Sequence, residues 1–149
     1  MSKAFDMAIT PWGVVGGGVL TGKYRDRNRL EAESKRHPMN QGRATERNLT
    51  IGDEVLKIAD EIGRTPSQVA INWVRSRTGL MIPILGARTV SQMEDNLGCL
   101  DFDLAPEQLK RLDEVSRIEL GFPHDFLNAD FIREVIFGGT YTLIDNHRK

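Results

Sequence analysis

The chain has 149 residues, with 20 basic against 21 acidic side chains and a net charge of −1. That length suits a single domain, and the balanced charge gives no support for a nucleic-acid or membrane-surface role, both of which show a basic excess. A single cysteine, Cys99, excludes an internal disulfide framework and fits a reducing compartment.

Residues 7–15, "MAITPWGVV", form a short apolar run rich in strand formers, with a proline inside it, leading into the glycines 16–18. The first twenty residues carry Asp6 and that glycine cluster. They lack the basic start and unbroken apolar stretch of a secretory signal, so the chain is expected in the cytoplasm. Residues 22–50 are polar and charged, with Gly, Pro and Asn scattered through them, and are expected to form a long loop. From 51 to 62, Val55, Ile58, Ala59 and Ile62 fall on one helical face that Gly63 stops.

"TPSQ" at 65–68 is a helix start: Thr65 caps, Pro66 opens the first turn, and Gln68 can close a capping box. The helix turns Val69, Ala70, Trp73 and Val74 inward and ends near Thr78-Gly79. "LMIPIL", 80–85, is apolar throughout, as expected of a parallel strand buried on both faces. A helix over 90–100 places Met93, Leu97 and Leu100 on one side. Another, in "APEQLKRLDEVSR", turns Leu109, Leu112 and Val115 inward. In the tail, Phe131, Ile132, Val135 and Ile136 share a helical face that is expected to pack. The order is that of an α/β protein with parallel strands, yet two strands alone leave open edges.

Most chemical motifs fail on inspection. "GGVLTGKY", 17–24, approaches the phosphate loop G-x-x-x-x-G-K-[ST], but Tyr24 stands where a hydroxyl must reach magnesium. No G-x-G-x-x-G is present. His37, His124 and His147 are isolated from one another, so no metal site is expected. Lys23 and Tyr24, as neighbours, point apart and make a poor catalytic pair. "GARTVSQ", 86–92, is different. Thr89 and Gln92 make another capping box, but Arg88, between a strand and a helix start, has no structural reason and suits an anion.

Taken together and in order, "TPWGVVGGGVLTGKY", "RTPSQVAINWVRSR", "IPILGARTVSQMEDNL" and "LAPEQLKRLDEVS" resemble the C-terminal part of an aldo-keto reductase, over residues 7 to about 117. "MAITPWGVVGGG" and "GFPHDFL", 121–127, narrow the resemblance to the fungal aryl-alcohol dehydrogenase and norsolorinic acid reductase branch. It implies an incomplete (β/α)8 barrel over 1–149, with 7–15 and 80–85 as the seventh and eighth strands, the loop 22–50, and a tail 118–149. It implies NADP as cofactor and a small aldehyde or alcohol as substrate. By position, Trp12 would lie beside the nicotinamide, while the backbone from Gly13 through Gly16 to Gly18, with Lys23, would line the pyrophosphate. Gly86, Arg88 and Gln92 would hold the adenosine phosphate, and Asp95 and Asn96 the adenine. Gly13 and Val14 replace the usual Ser-Pro, so a serine hydroxyl contact is lost.

The family's tyrosine, lysine, aspartate and histidine belong to the first strands of the barrel, and no catalytic residue is assigned in this chain. A whole barrel takes roughly 250 residues, so the chain is expected to be a truncated form. Its partners would be a complementary N-terminal half or a second copy. The alternative is a non-catalytic module that associates through exposed barrel edges.

Overall fold

The computed structural model describes residues 1–24 and 42–145. Most of the expected loop 22–50, together with His37 and His147, lies outside the described residues. The chain divides into two compact units, Met1–Ser116 and Arg117–Lys149.

In the first unit, α1 (Glu46–Ile62) begins five residues before its apolar periodicity does. Thr45 caps it, its Oγ1 accepting from the Asn48 N–H at 3.2 Å. Helix α2 spans Pro66–Arg75, and its capping box is complete. Gln68 N–H donates to Thr65 Oγ1, and Thr65 N–H donates to Gln68 Oε1. Helices α3 (Val90–Leu97) and α4 (Pro106–Val115) follow, joined through a 3-10 turn over Gly98–Leu100. The core lies between α1, α2 and α4, where Val55, Ile58, Ala59, Val69, Ala70, Leu104 and Leu112 are buried. Val15, Leu20, Trp73 and Leu109 pack against it. A 3-10 turn over Gly16–Thr21 crosses α1 at Gly52, where an added Cβ would stand 3.0 Å from the Val19 carbonyl oxygen. Any larger residue there would push the crossing backbone away by a few tenths of an ångström.

The expected strands are reduced to two isolated parallel bridges, Ile9 with Met81 and Trp12 with Ile84. Among the described residues there is no longer strand. The hydrogen bonds give the reason. Ile9 N–H donates to Leu80 O, Ile82 N–H to Ile9 O, and Ile84 N–H to Pro11 O, each at 2.9 Å. In this parallel register the next donor in turn is residue 11, a proline without an N–H, and the ladder breaks there.

Two further expectations are corrected. The segment 80–85 is not buried on both faces: Leu80, Ile82 and Ile84 are 64%, 50% and 52% exposed, while Met81, Pro83 and Leu85 are half-buried. That alternation belongs to a strand covered on one side only. Likewise α3 has no buried residue, and Met93, Leu97 and the following Leu100 are exposed. Nothing among the described residues covers that face.

Arg111 of α4 ties α1 through two carboxylates, with Nε donating to Glu54 and both terminal nitrogens to Glu61. The hydrogen bond from Arg111 holds the Glu61 carboxyl below its ordinary value, and the pair in turn raises Arg111. A depressed carboxylate favours the folded state above the unfolded pKa, and that contribution disappears as pH falls through the folded value. Glu61→Gln is therefore expected to flatten the acid limb of a stability-versus-pH curve below about pH 4.5. Urea midpoints at several pH values check this, and parallel curves for the two proteins would exclude the linkage.

In the second unit, α5 (His124–Asn128) and α6 (Asp130–Phe137) carry no buried residue. His124 sits in α5. Phe131, Val135 and Ile136 are exposed and Ile132 half-buried, so the expected packed face is open. Phe137 and Tyr141 stack at 5.2 Å, with Arg133 over the Tyr141 ring. No helix among the described residues is long and apolar enough to cross a membrane.

Candidate functional site

One wall of the site is the glycine-rich turn after the first bridge segment. Gly17 and Gly18 break the helical geometry with φ of 65° and 95°. Thr21 Oγ1 donates to the Gly18 carbonyl at 2.8 Å, and Tyr24 Oη to the Gly17 carbonyl at 3.0 Å. Tyr24 is only 5% exposed. Its hydroxyl therefore fastens the turn from below, which accounts for an aromatic residue where a phosphate loop needs a short alcohol. Against the divergence expected of sequence neighbours, the Lys23 ammonium lies over the Tyr24 ring at 4.8 Å.

The facing wall is the start of α3. Thr89 caps it, Oγ1 accepting from the Gln92 N–H at 3.2 Å. The expected capping box is displaced by one residue: Gln92 Oε1 accepts from the Arg88 N–H, at 3.0 Å, and not from Thr89. Gln92 thereby fixes the backbone that carries the Arg88 guanidinium. The N–H groups of Val90 and Ser91 have no intrahelical acceptor, as in any helix's first turn, and the dipole makes this corner positive.

Between the walls runs a cleft of about 680 Å³. Of the ten residues singled out from sequence, it brings together nine: Trp12, Gly13, Gly18, Lys23, Gly86, Arg88, Gln92, Asp95 and Asn96. Gly16 lines an adjoining apolar pocket of about 360 Å³. The Trp12 ring is 72% exposed and presents an open aromatic face. Asp95 is more engaged than expected. Its carboxylate accepts from Thr65 Oγ1 and Gln68 Nε2, both at 3.2 Å, and its carbonyl from Gln68 Nε2 at 2.9 Å. It therefore ties α3 to the cap of α2, and its oxygens are engaged there.

Sequence reasoning missed Arg43, Thr21 and Ser67 among the lining residues. A basic residue two positions before the Thr45 cap was the available signal for Arg43, because a helix start fixes where such a side chain emerges. Among the described residues it makes, with Lys23 and Arg88, three cations around the cleft against one carboxylate, Asp95. The size, the exposed aromatic ring, the glycine wall and the positive corner together suit a long, flat-ended ligand with several anionic groups. Among the described residues no cluster of histidine, cysteine or carboxylate could hold a metal ion.

The order of these features along the chain is the order in which one enzyme family carries them. The sequence profile of the aldo/keto reductase family matches residues 1–117, and the chain belongs to that family. Among its relatives is a Saccharomyces cerevisiae protein named as a candidate aryl-alcohol dehydrogenase, 31% identical over 132 residues, covering 87% of each chain. A longer yeast protein with the same type of name is also 31% identical over 132 residues, covering 87% of this chain and 46% of its own. Norsolorinic acid reductase from Emericella nidulans is 25% identical over 127 residues, covering 85% of this chain and 31% of its own. The chain thus spans less than half the length of the latter two.

Proposed function

We propose that this chain is the part of an aldo-keto reductase of the aryl-alcohol dehydrogenase type that holds the phosphate-bearing length of NADP. The observation that carries the reading is the convergence of the turn 12–23 and the segment 84–96 on one positive cleft. The names of its relatives, for aryl-alcohol dehydrogenases and a norsolorinic acid reductase, support the substrate class: an aldehyde or ketone reduced to an alcohol.

The fit of the dinucleotide rests on the glycine wall. A Cβ at Gly18 would occupy the space the Lys23 side chain now fills, so the ammonium keeps its place on this wall only while residue 18 is glycine. Lys23 would neutralise that diphosphate, Trp12 would lie flat against the nicotinamide, and Arg88 with Gln92 would receive the 2′-phosphate. Asn96, with what capacity Asp95 retains, would face the adenine. The bound cofactor supplies the hydride. The groups that polarise the carbonyl and deliver a proton belong, in this reading, to a complementary N-terminal portion of the barrel. The open face of Leu80, Ile82 and Ile84 is where such a portion, or a second copy, would seat.

Arg88→Ala is expected to weaken NADPH binding roughly tenfold, the worth of one charge-assisted phosphate contact, while NADH binding changes little. Calorimetric titration of both cofactors tests this. Equal losses for NADPH and NADH would remove Arg88 from the 2′-phosphate, and no binding by the unmodified chain would overturn the reading.

A further inference from the structure

We infer that Arg43 is a second binding arginine of this cleft, standing at its Trp12 end and directed to the diphosphate and not to the 2′-phosphate. The inference rests on the cofactor reading above and goes beyond it, because nothing in the sequence motifs marks Arg43.

Position carries the argument. Among the described residues the large cleft and the smaller apolar pocket share three lining residues, Trp12, Gly13 and Arg43. Arg88, Gln92 and Asn96 line the cleft alone. Arg43 therefore stands where the two cavities meet, beside the aromatic ring and away from the start of α3. Its backbone is held there: the Arg43 carbonyl accepts from Asn48 Nδ2 at 2.7 Å, and Asn48 is itself bonded to the Thr45 cap.

Charge gives the second line. Arg43 is half-buried, and among the described residues no carboxylate lies within ion-pair distance of it. Among the described residues the single acid lining either cavity is Asp95, whose oxygens accept from Thr65 and Gln68. Among the described residues this half-buried guanidinium meets no carboxylate, and an anion in the cleft would give it a charged partner. Lys23, on the glycine wall of the same cleft, supplies a further cation for that anion. A diphosphate carries two negative charges and suits this pair; the monoester phosphate is served by Arg88 at the far end.

The test is a titration of unmodified chain, Arg43→Ala and Arg43→Lys with NADPH and, separately, with NADH, alongside urea unfolding of each protein. Arg43→Ala is expected to weaken both cofactors by the same factor, roughly tenfold, with an unchanged urea midpoint. Arg43→Lys is expected to recover most of the loss with both, because a point charge satisfies a diphosphate well. Unchanged binding by Arg43→Ala overturns the inference alone. So does a loss confined to NADPH, which would move Arg43 to the 2′-phosphate. Failure of the unmodified chain to bind either cofactor overturns the cofactor reading and this inference with it.

Discussion

Asn72→Ala is expected to cost the fold about 3 kcal/mol or more, enough to unfold much of a chain whose total stability is on the usual order of 5–15 kcal/mol. Asn72 is fully buried in α2. Its Nδ2 donates to the carbonyls of Cys99 and Phe102, at 3.0 and 2.6 Å, and its Oδ1 accepts from the Leu104 N–H and the Ser76 hydroxyl. One side chain thus satisfies three backbone groups in the connection from α3 to α4. Removing it leaves the Phe102 carbonyl and the Leu104 N–H short of partners, while the Cys99 carbonyl keeps the Arg75 guanidinium at 3.0 Å. Asn72→Asp is expected to fare worse, since a carboxylate would replace the donor that faces both carbonyls. Urea unfolding of the three proteins measures this. A loss below about 1 kcal/mol for Asn72→Ala would mean that the connection finds other partners.

The second large effect is expected at the glycine wall. In Gly18→Val, a branched side chain would be forced to a φ of 95°, a backbone conformation that costs of order 1–3 kcal/mol outside glycine. Its Cβ would stand 2.1 Å from Lys23 Cε and 2.9 Å from Nζ, so the ammonium must leave its place over the Tyr24 ring. The lysine chain is flexible and the clash itself is relieved cheaply; what is lost is the cation's position. Binding of NADPH and of NADH is expected to fall more than tenfold, matching Lys23→Met in the same titration. Gly18→Val binding as well as the unmodified chain would show that Lys23 and the glycine backbone do not meet the ligand.

These two residues mark how far the sequence could be read. Gly18 stood inside a glycine cluster whose meaning was legible, because left-handed turns need that residue. Asn72 was invisible: counting apolar positions along α2 places an asparagine on the polar face, and only the arrival of the α3–α4 connection turns that face inward. The capping of α2 was legible to the atom in "TPSQ", since both partners lie within one turn. The same pattern at Thr89 misled by one residue, because Gln92 reaches Arg88 instead. The apolar runs 80–85 and 90–100 read as core-seeking, but sequence cannot say whether the surface they seek is present. Among the described residues it is not, so Ile82, Ile84, Met93 and Leu97 stand exposed. Nine of the ten residues that the family resemblance singled out line one cleft, whereas Arg43 needed the folded chain to bring it there.

The pairing of residues 9–12 with 81–84 has a consequence in time as well as space. The two partners are separated by about seventy residues, and Pro11 removes one of the few bonds that could reward their meeting. Closing so long a loop for so little return is unfavourable until α1, α2 and α4 have already drawn the ends together. The helical core is therefore expected to form first and the bridges late. Because Val15 and Leu20 of the glycine turn pack on that core, one wall of the cleft is expected to stand before the bridges bring the other to face it.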